Sequence, residues 1–426
     1  MDRRAAGDSR RPVPGRVLGY AVPVAKKPSS TSKKTAKAEA SVVAEAEPRQ
    51  AAPGVAVPRP GLLRDVIGQP RAISNLTAAM KARRLHHAWI FHGPPGVGKF
   101  TTALAFAACV LDPTTTVSRE DGLPVPDPAS PVQRLLASGA HPDLHVIVKE
   151  LAKFSEEPSV RSGKQITIAK EVVEAHLIRP AALAPLMNSG GAATKVFIVD
   201  EAELLDRSVY NAPTQNSILK TLEEPTPGNV IILVTSAEDR LLPTIRSRCQ
   251  RIAFNRLAAP QMNEWIRRSN VQLPEASAQW LIDYADGSPG DLLKALATGI
   301  AEWHAQIAPL LAELDTGRQP SDLGGLMGTL IEAEAQRLVK ASPNVSKEAS
   351  NKVAADAMFR LVAHHIRGKL RAEAAKLPQG SRTVEARMRC LDVLGEAERN
   401  VDANVQAVFA CSNMVAQMGV AMAGAM

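Results

Sequence analysis

Aromatic side chains are scarce in this 426-residue chain, with eight Phe, four Trp and three Tyr making up 4% of it. Alanine and leucine dominate the second half instead, a bias that leans towards helix. Cysteine is scarcer still: Cys109, Cys249, Cys390 and Cys411 lie far apart with no paired spacing, so no disulfide framework or zinc site can be read from them. Long apolar runs are missing too. The longest, Ala103 to Leu111, is far short of a membrane span, and Met1-Asp2-Arg3-Arg4 is not followed by the apolar stretch of a secretory signal. The expectation is a soluble, cytoplasmic protein without membrane contact. Excess charge is confined to one end: of the formal +8, residues 1 to 60 carry +7, from twelve Lys and Arg against five Asp and Glu. The rest is near neutral, so contact with nucleic-acid phosphates would need local patches.

What is present divides the chain into parts. Its length suits two or three domains with cores of their own. Residues 1 to 60 mix Pro, Ala, Ser and Lys without an apolar period and read as a disordered tail. Such a tail is either a weak basic arm on nucleic acid, a solvated extension, or the product of a misassigned start. Order begins near Leu62, and a helix follows in which Ile73, Leu76 and Met80 share a face. Short aliphatic runs at Ala88–Phe91, Leu144–Val148, Val196–Val199 and Val230–Val234 alternate with helical patterns. Runs of this kind suit strands buried on both faces of a parallel sheet. Five prolines between 112 and 135 mark an irregular connection, residues 149 to 165 a polar excursion, and 169 to 184 a helix. Beyond Phe254 the strand signal stops and helical spacing takes over.

The stretch Gly93-Pro94-Pro95-Gly96-Val97-Gly98-Lys99-Phe100-Thr101 lies between the first aliphatic run and a long apolar helix. Glycines there let successive N–H groups turn inward, the helix adds its positive end, and Lys99 reaches the outer phosphates. This is a P-loop up to its last ligand. Phe100 stands where the magnesium-binding Ser or Thr belongs, and Thr101 is turned about 100° further round the helix. Asp200 and Glu201 close a later strand in the form of a Walker B site, where Asp200 would hold magnesium and Glu201 would polarise the attacking water. His86, His87 and His92 near the loop suit packing and strand-end contacts better than catalysis.

Gly68-Gln69, His87-Ala88-Trp89, His141-Pro142-Asp143, Asn216 to Pro225 with its Leu222-Glu223-Glu224-Pro225 ending, and Leu242 to Cys249 ending in Ser247-Arg248-Cys249 occur in that order. Together with the P-loop they make residues 62 to about 300 resemble a bacterial DNA polymerase III clamp loader subunit of the AAA+ class, most closely the delta-prime type. The resemblance implies an α/β AAA+ P-loop module, a parallel sheet flanked by helices, at 61–255. It also implies a small helical lid at 256–305 and an all-helical collar at 306–426 that joins the subunits of a pentameric loader. In that family the arginine mapped onto Arg248 reaches a neighbour's ATP, and Thr235 lies where a polar side chain senses the γ-phosphate. The implied partners are gamma/tau-type and delta subunits, with the sliding clamp and primed DNA met through the complex.

Three departures bear on activity. The zinc cysteines that family members often carry after the P-loop helix are missing apart from Cys109, so no zinc is expected and Cys109 reads as a small buried hydrophobe. Gly290, in Gly287-Ser288-Pro289-Gly290-Asp291, stands where hydrolysing members carry a lid arginine. Phe100 removes a metal ligand. Gly93, Gly96, Gly98, Lys99, Thr101, Asp200 and Thr235 remain as candidates to hold ATP and magnesium, with Glu201 catalytic if the site is active, and the balance favours a subunit with weak or absent ATPase activity. The alternative is a hydrolysing gamma/tau-type motor, and a more distant one is another AAA+ DNA-processing ATPase such as a branch-migration motor.

Overall fold

The computed structural model describes residues 57–425 apart from 83–84, 164–165, 188–189, 207–210, 342–345 and 377–380. Residues 1–56, nearly all of the expected tail, lie outside the described residues. The chain forms two compact units that part between Ser269 and Asn270.

The first unit is built on five parallel strands, β1 (Ala88–His92), β2 (Leu144–Ile147), β3 (Lys195–Val199), β4 (Asn229–Thr235) and β5 (Gln250–Ala253), in the order β2-β3-β4-β1-β5. Alternation along these runs feeds two cores. Trp89, Phe91, Val196, Ile198, Ile232 and Val234 bury one face against helix α2 (Lys99–Leu111), whereas Ala88, Ile90, Phe197, Val199, Ile231 and Leu233 bury the other. Helix α1 (Pro70–Lys81) begins on a proline at its first turn, where the missing N–H costs nothing. In α2, Thr102 to Leu111 are all buried, as a helix apolar on every side must be.

The connection after α2 holds more order than its prolines suggest. A short antiparallel ribbon pairs Thr116–Val117 with Pro124–Val125, and helix α3 (Pro131–Ala137) follows, started by Ser130. Asp112 organises it. Its carboxylate accepts hydrogen bonds from Thr114 N and Oγ1, Ser130 Oγ and Gln133 Nε2 at 2.5 to 2.9 Å. Burial opposes the charge, but these bonds hold the carboxyl below its ordinary range. Residues 149–165, expected as a polar excursion, contain two short helical turns, Lys149–Phe154 and Pro158–Ser162.

The helix expected over 169–184 is interrupted. Lys170–Val173 and Arg179–Ala182 are α-helical, and Glu174–Ile178 between them is π-helical. Pro180 explains the widening, since its ring and absent N–H are incompatible with a tight turn behind it. Helix α4 (Pro213–Glu223) then leads to β4, and α5 (Ala259–Arg268) follows β5.

The second unit is helical: α6 (Ala278–Ala285), α7 (Pro289–Thr298), α8 (Ile300–Asp315), α9 (Leu323–Ala341), α10 (Lys347–Ala374), α11 (Arg382–Asp402) and α12 (Ala407–Ala423). The expected lid boundary at residue 305 falls inside α8, which runs through it unbroken. Buried Ile307, Met327, Ile331, Phe359, Val362, Leu394 and Met414 supply a core. Arg387 on α11, 4% exposed, pairs with Asp315 of α8 and Glu373 of α10. Burial works against the Asp315 charge, yet His365 and Arg387 hold its carboxyl well below the usual range.

Among the described residues no helix is long and apolar enough to cross a membrane. Nor is any group of three or more His, Cys, Asp or Glu side chains gathered as for a metal. All four cysteines are free thiols and buried; the Cys109 thiol is pushed up to about 12 by burial and by Asp112.

Candidate functional site

The carboxyl ends of β1, β3 and β4 lie side by side, with His92 level with Thr235 and Val199 level with Leu233. This brings the P-loop, Asp200-Glu201 and Thr235 to one edge of the sheet, where ligands of open α/β sheets bind. The loop needs its glycines. Gly93, Gly96 and Gly98 have φ of 138°, 71° and 95°, and a β-carbon on Gly93 would lie 2.2 Å from the Phe254 carbonyl oxygen. Gln69 fastens the loop from below, donating to Val97 O and Asn255 O and accepting from Asn255 N. A cleft of about 180 Å3 lies beside it, lined by Gly68, Gln69, Arg71, Ala253 and Asn255. A larger cavity, about 610 Å3, is lined by Lys81, His87, Asp112 and Gly228, towards the opposite edge.

Lys99 is the first residue of α2 and is buried. Its ammonium group donates to Gly93 O at 2.7 Å, Pro94 O at 2.5 Å and Ser236 Oγ at 3.1 Å. Phe100 packs against the core on the α2 face, and Thr101 is exposed. The residues therefore fit a phosphate in the glycine turn but offer no hydroxyl at the position a P-loop uses for magnesium.

Glu201 departs from an ordinary strand end. Its backbone is left-handed, φ 49°, a conformation that costs a side chain roughly 1–2 kcal/mol. Its carboxylate pairs with Lys149 Nζ at 2.7 Å, and its N–H donates to Asp200 Oδ1. Burial works against the Lys149 ammonium, but Glu201, Glu150 and Asp200 more than offset it and raise its pKa. A carboxylate engaged by an ammonium is a poor base for water. Thr235 is buried and accepts from Ala237 N, so its hydroxyl closes the strand-end turn. The hydroxyl that touches Lys99 belongs to the next residue, Ser236, whose N–H is held by Glu203 at 3.1 Å.

Arg248 is not part of this group. It precedes β5 by two residues, and the register sets Gln250 beside Trp89 and Ala253 beside His92. At about 3.3 Å per residue, Arg248 is on the order of 15–20 Å from its own P-loop, at the opposite edge of the sheet. There its guanidinium pairs with Glu223 Oε1 at 2.6 Å and donates to Thr244 O at 2.9 Å.

Sequence reasoning missed Lys149, Ser236 and the partnership of Glu223 with Arg248. Ser236 could have been found from the Thr235-Ser236 doublet. Lys149 could have been found from its place just past an aliphatic run, once that run is paired with β3.

The family described as DNA polymerase III, delta subunit, matches residues 68–258. Over these residues the chain is similar to clamp-loader subunits of the AAA+ class. The delta-prime subunit of Pseudomonas aeruginosa DNA polymerase III is 30% identical to it over 52% of this chain and 59% of its own length. The tau subunit of Bacillus subtilis is 27% identical over 57% of this chain and 38% of its own length. The chain thus spans between about two fifths and three fifths of these curated relatives. A gamma subunit-related protein from Thermotoga maritima aligns over 82% of this chain and 99% of its own, with 15% identity and a TM-score of 0.38. Within the matched residues stand the P-loop, with Phe100 after its lysine, the acid pair and the Ser-Arg-Cys element.

Proposed function

We propose that this chain is a delta-prime-type clamp loader subunit, one that completes a neighbour's ATP site with Arg248 and turns over little or no ATP itself. The separation of Arg248 from its own P-loop carries this reading, because a guanidinium at the far edge of the sheet can serve only a nucleotide held by another module. A planar, permanently charged fork suits the γ-phosphate as charge develops on it. Support for a silent site of its own comes from Phe100 in place of a hydroxyl and from the engagement of Glu201 by Lys149. The partners in this reading are gamma/tau-type and delta subunits, with the clamp and primed DNA reached through the assembly. Any nucleotide in the glycine turn would be held without hydrolysis.

The test is steady-state ATP hydrolysis, first with the purified chain and primed DNA, then with the reconstituted loader. The chain alone should show no turnover. In the loader, Arg248→Ala should lower DNA-stimulated turnover several-fold without preventing assembly, and Lys99→Ala should change little. Loss with Lys99→Ala and none with Arg248→Ala would overturn the proposal.

A second reading, a gamma/tau-type motor, is favoured by one observation: Asp200 and Glu201 stand intact at the P-loop edge. It requires turnover by the chain alone that Glu201→Gln abolishes.

A further inference from the structure

We infer that Glu223 is the positioning residue of Arg248, holding the guanidinium ready for the neighbouring phosphate. The inference rests on the arginine role proposed above and adds to it the residue through which that role is set.

The backbones on both sides of the pair are fixed. Glu223 ends α4 one residue after buried Leu222, whose carbonyl accepts from His87 Nε2 at 3.0 Å. The Glu224 N–H bonds back to Lys220 O, and Pro225 prevents the helix from continuing. Arg248 precedes Cys249, which is buried in the same cluster as Leu222. Leu222 and Cys249 thus belong to one core while Glu223 and Arg248 pair outside it. Gln215, near the start of α4, also fixes the approach to Arg248 by accepting from Leu242 N and donating to Arg240 O. The soft parts that remain are the two side chains.

The pair has little to do with stability. The Arg248 side chain is 36% exposed and that of Glu223 48%, and ion pairs so open to water add little to folding. Its effect falls on the arginine's freedom, because a long side chain with many rotamers loses entropy when it must meet a ligand in one pose. Glu223 takes one N–H of Nη2 and Thr244 O one of Nη1. Three of the five N–H groups then remain for a second acceptor pair, which is how a phosphate is met by two parallel bonds.

The experiment uses the full-length chain in the loader reconstituted from the same organism's subunits, with clamp and primed DNA. Glu223→Ala should lower kcat for ATP about five-fold, the equivalent of losing one exposed ion pair's orientation, with KM, assembly and thermal midpoint unchanged. Glu223→Gln, which keeps an oxygen for Nη2, should recover most of the rate. Glu223→Ala added to Arg248→Ala should cause no further loss. If Arg248→Ala slows the loader and Glu223→Ala does not, or quickens it, the positioning role is wrong and the arginine role stands. A lowered midpoint or failed assembly in Glu223→Ala would make the residue structural and also overturn the inference. If Arg248→Ala is itself silent, the underlying reading fails.

Discussion

Gly93 and Gly98 belong to one motif and answer to different constraints. Gly93 is held by packing: any β-carbon there meets the Phe254 carbonyl oxygen at 2.2 Å, and neither backbone can move without disturbing β1 or the chain leaving β5. Gly98 is held by its dihedral alone, since no atom lies within 4 Å of a β-carbon built on it. Gly93→Ala should therefore destabilise the chain by about 3 kcal/mol or more. Gly98→Ala should cost only about 1–2 kcal/mol, the left-handed penalty, a contrast readable by urea denaturation. A glycine kept for packing persists whether or not nucleotide binds. The motif on its own therefore says less about catalysis than Phe100 does.

The edge strand β2 carries a consequence of burial. The His145 ring stacks on Phe197 of β3 at 4.8 Å, and burial, with Lys195 adding to it, lowers its pKa to about 4. The unfolded chain takes up that proton near pH 6.5 while the folded chain stays neutral, so below 6.5 the unfolded state binds more protons. Stability from this contact should be complete above pH 6.5 and be lost as the pH falls to about 4. His145→Gln should flatten that part of the profile of urea midpoint against pH. His141 and His176, also lowered by burial, act in the same direction and leave a residual slope. Four of the five strands were legible because each is a short apolar run, and α2 because nothing from Ala103 to Leu111 is polar; β5, where Gln250, Arg251 and Ala253 are exposed, was not. The π-helical turn at Glu174–Ile178 was not, since Pro180 announces a disturbance without saying whether the helix stops or widens. Nor was the Asp112 cluster, whose partners are up to 21 residues away. In the site, the glycines, Lys99 and the acid pair were readable from spacing. Lys149 and Glu223 were not, because their roles are fixed by contacts 52 and 25 residues along the chain, which only the sheet register and the α4 packing create.

At the scale of the whole molecule, the second unit has a core and a buried charge network of its own. The fragment 270–426 should fold alone, giving a helical circular-dichroism spectrum and a single cooperative thermal transition. A non-cooperative melt would mean that it needs the first unit. The first unit matters here for what it keeps apart. With a glycine turn at one edge of the sheet and an arginine at the other, the proposed role would give the module a giving side and a receiving side. If Arg248 serves a neighbour's nucleotide as proposed, such modules would join head to tail, and a row of them would have a direction. A member whose receiving side lacks the metal hydroxyl would still give, and its natural place in such a row would be at one end.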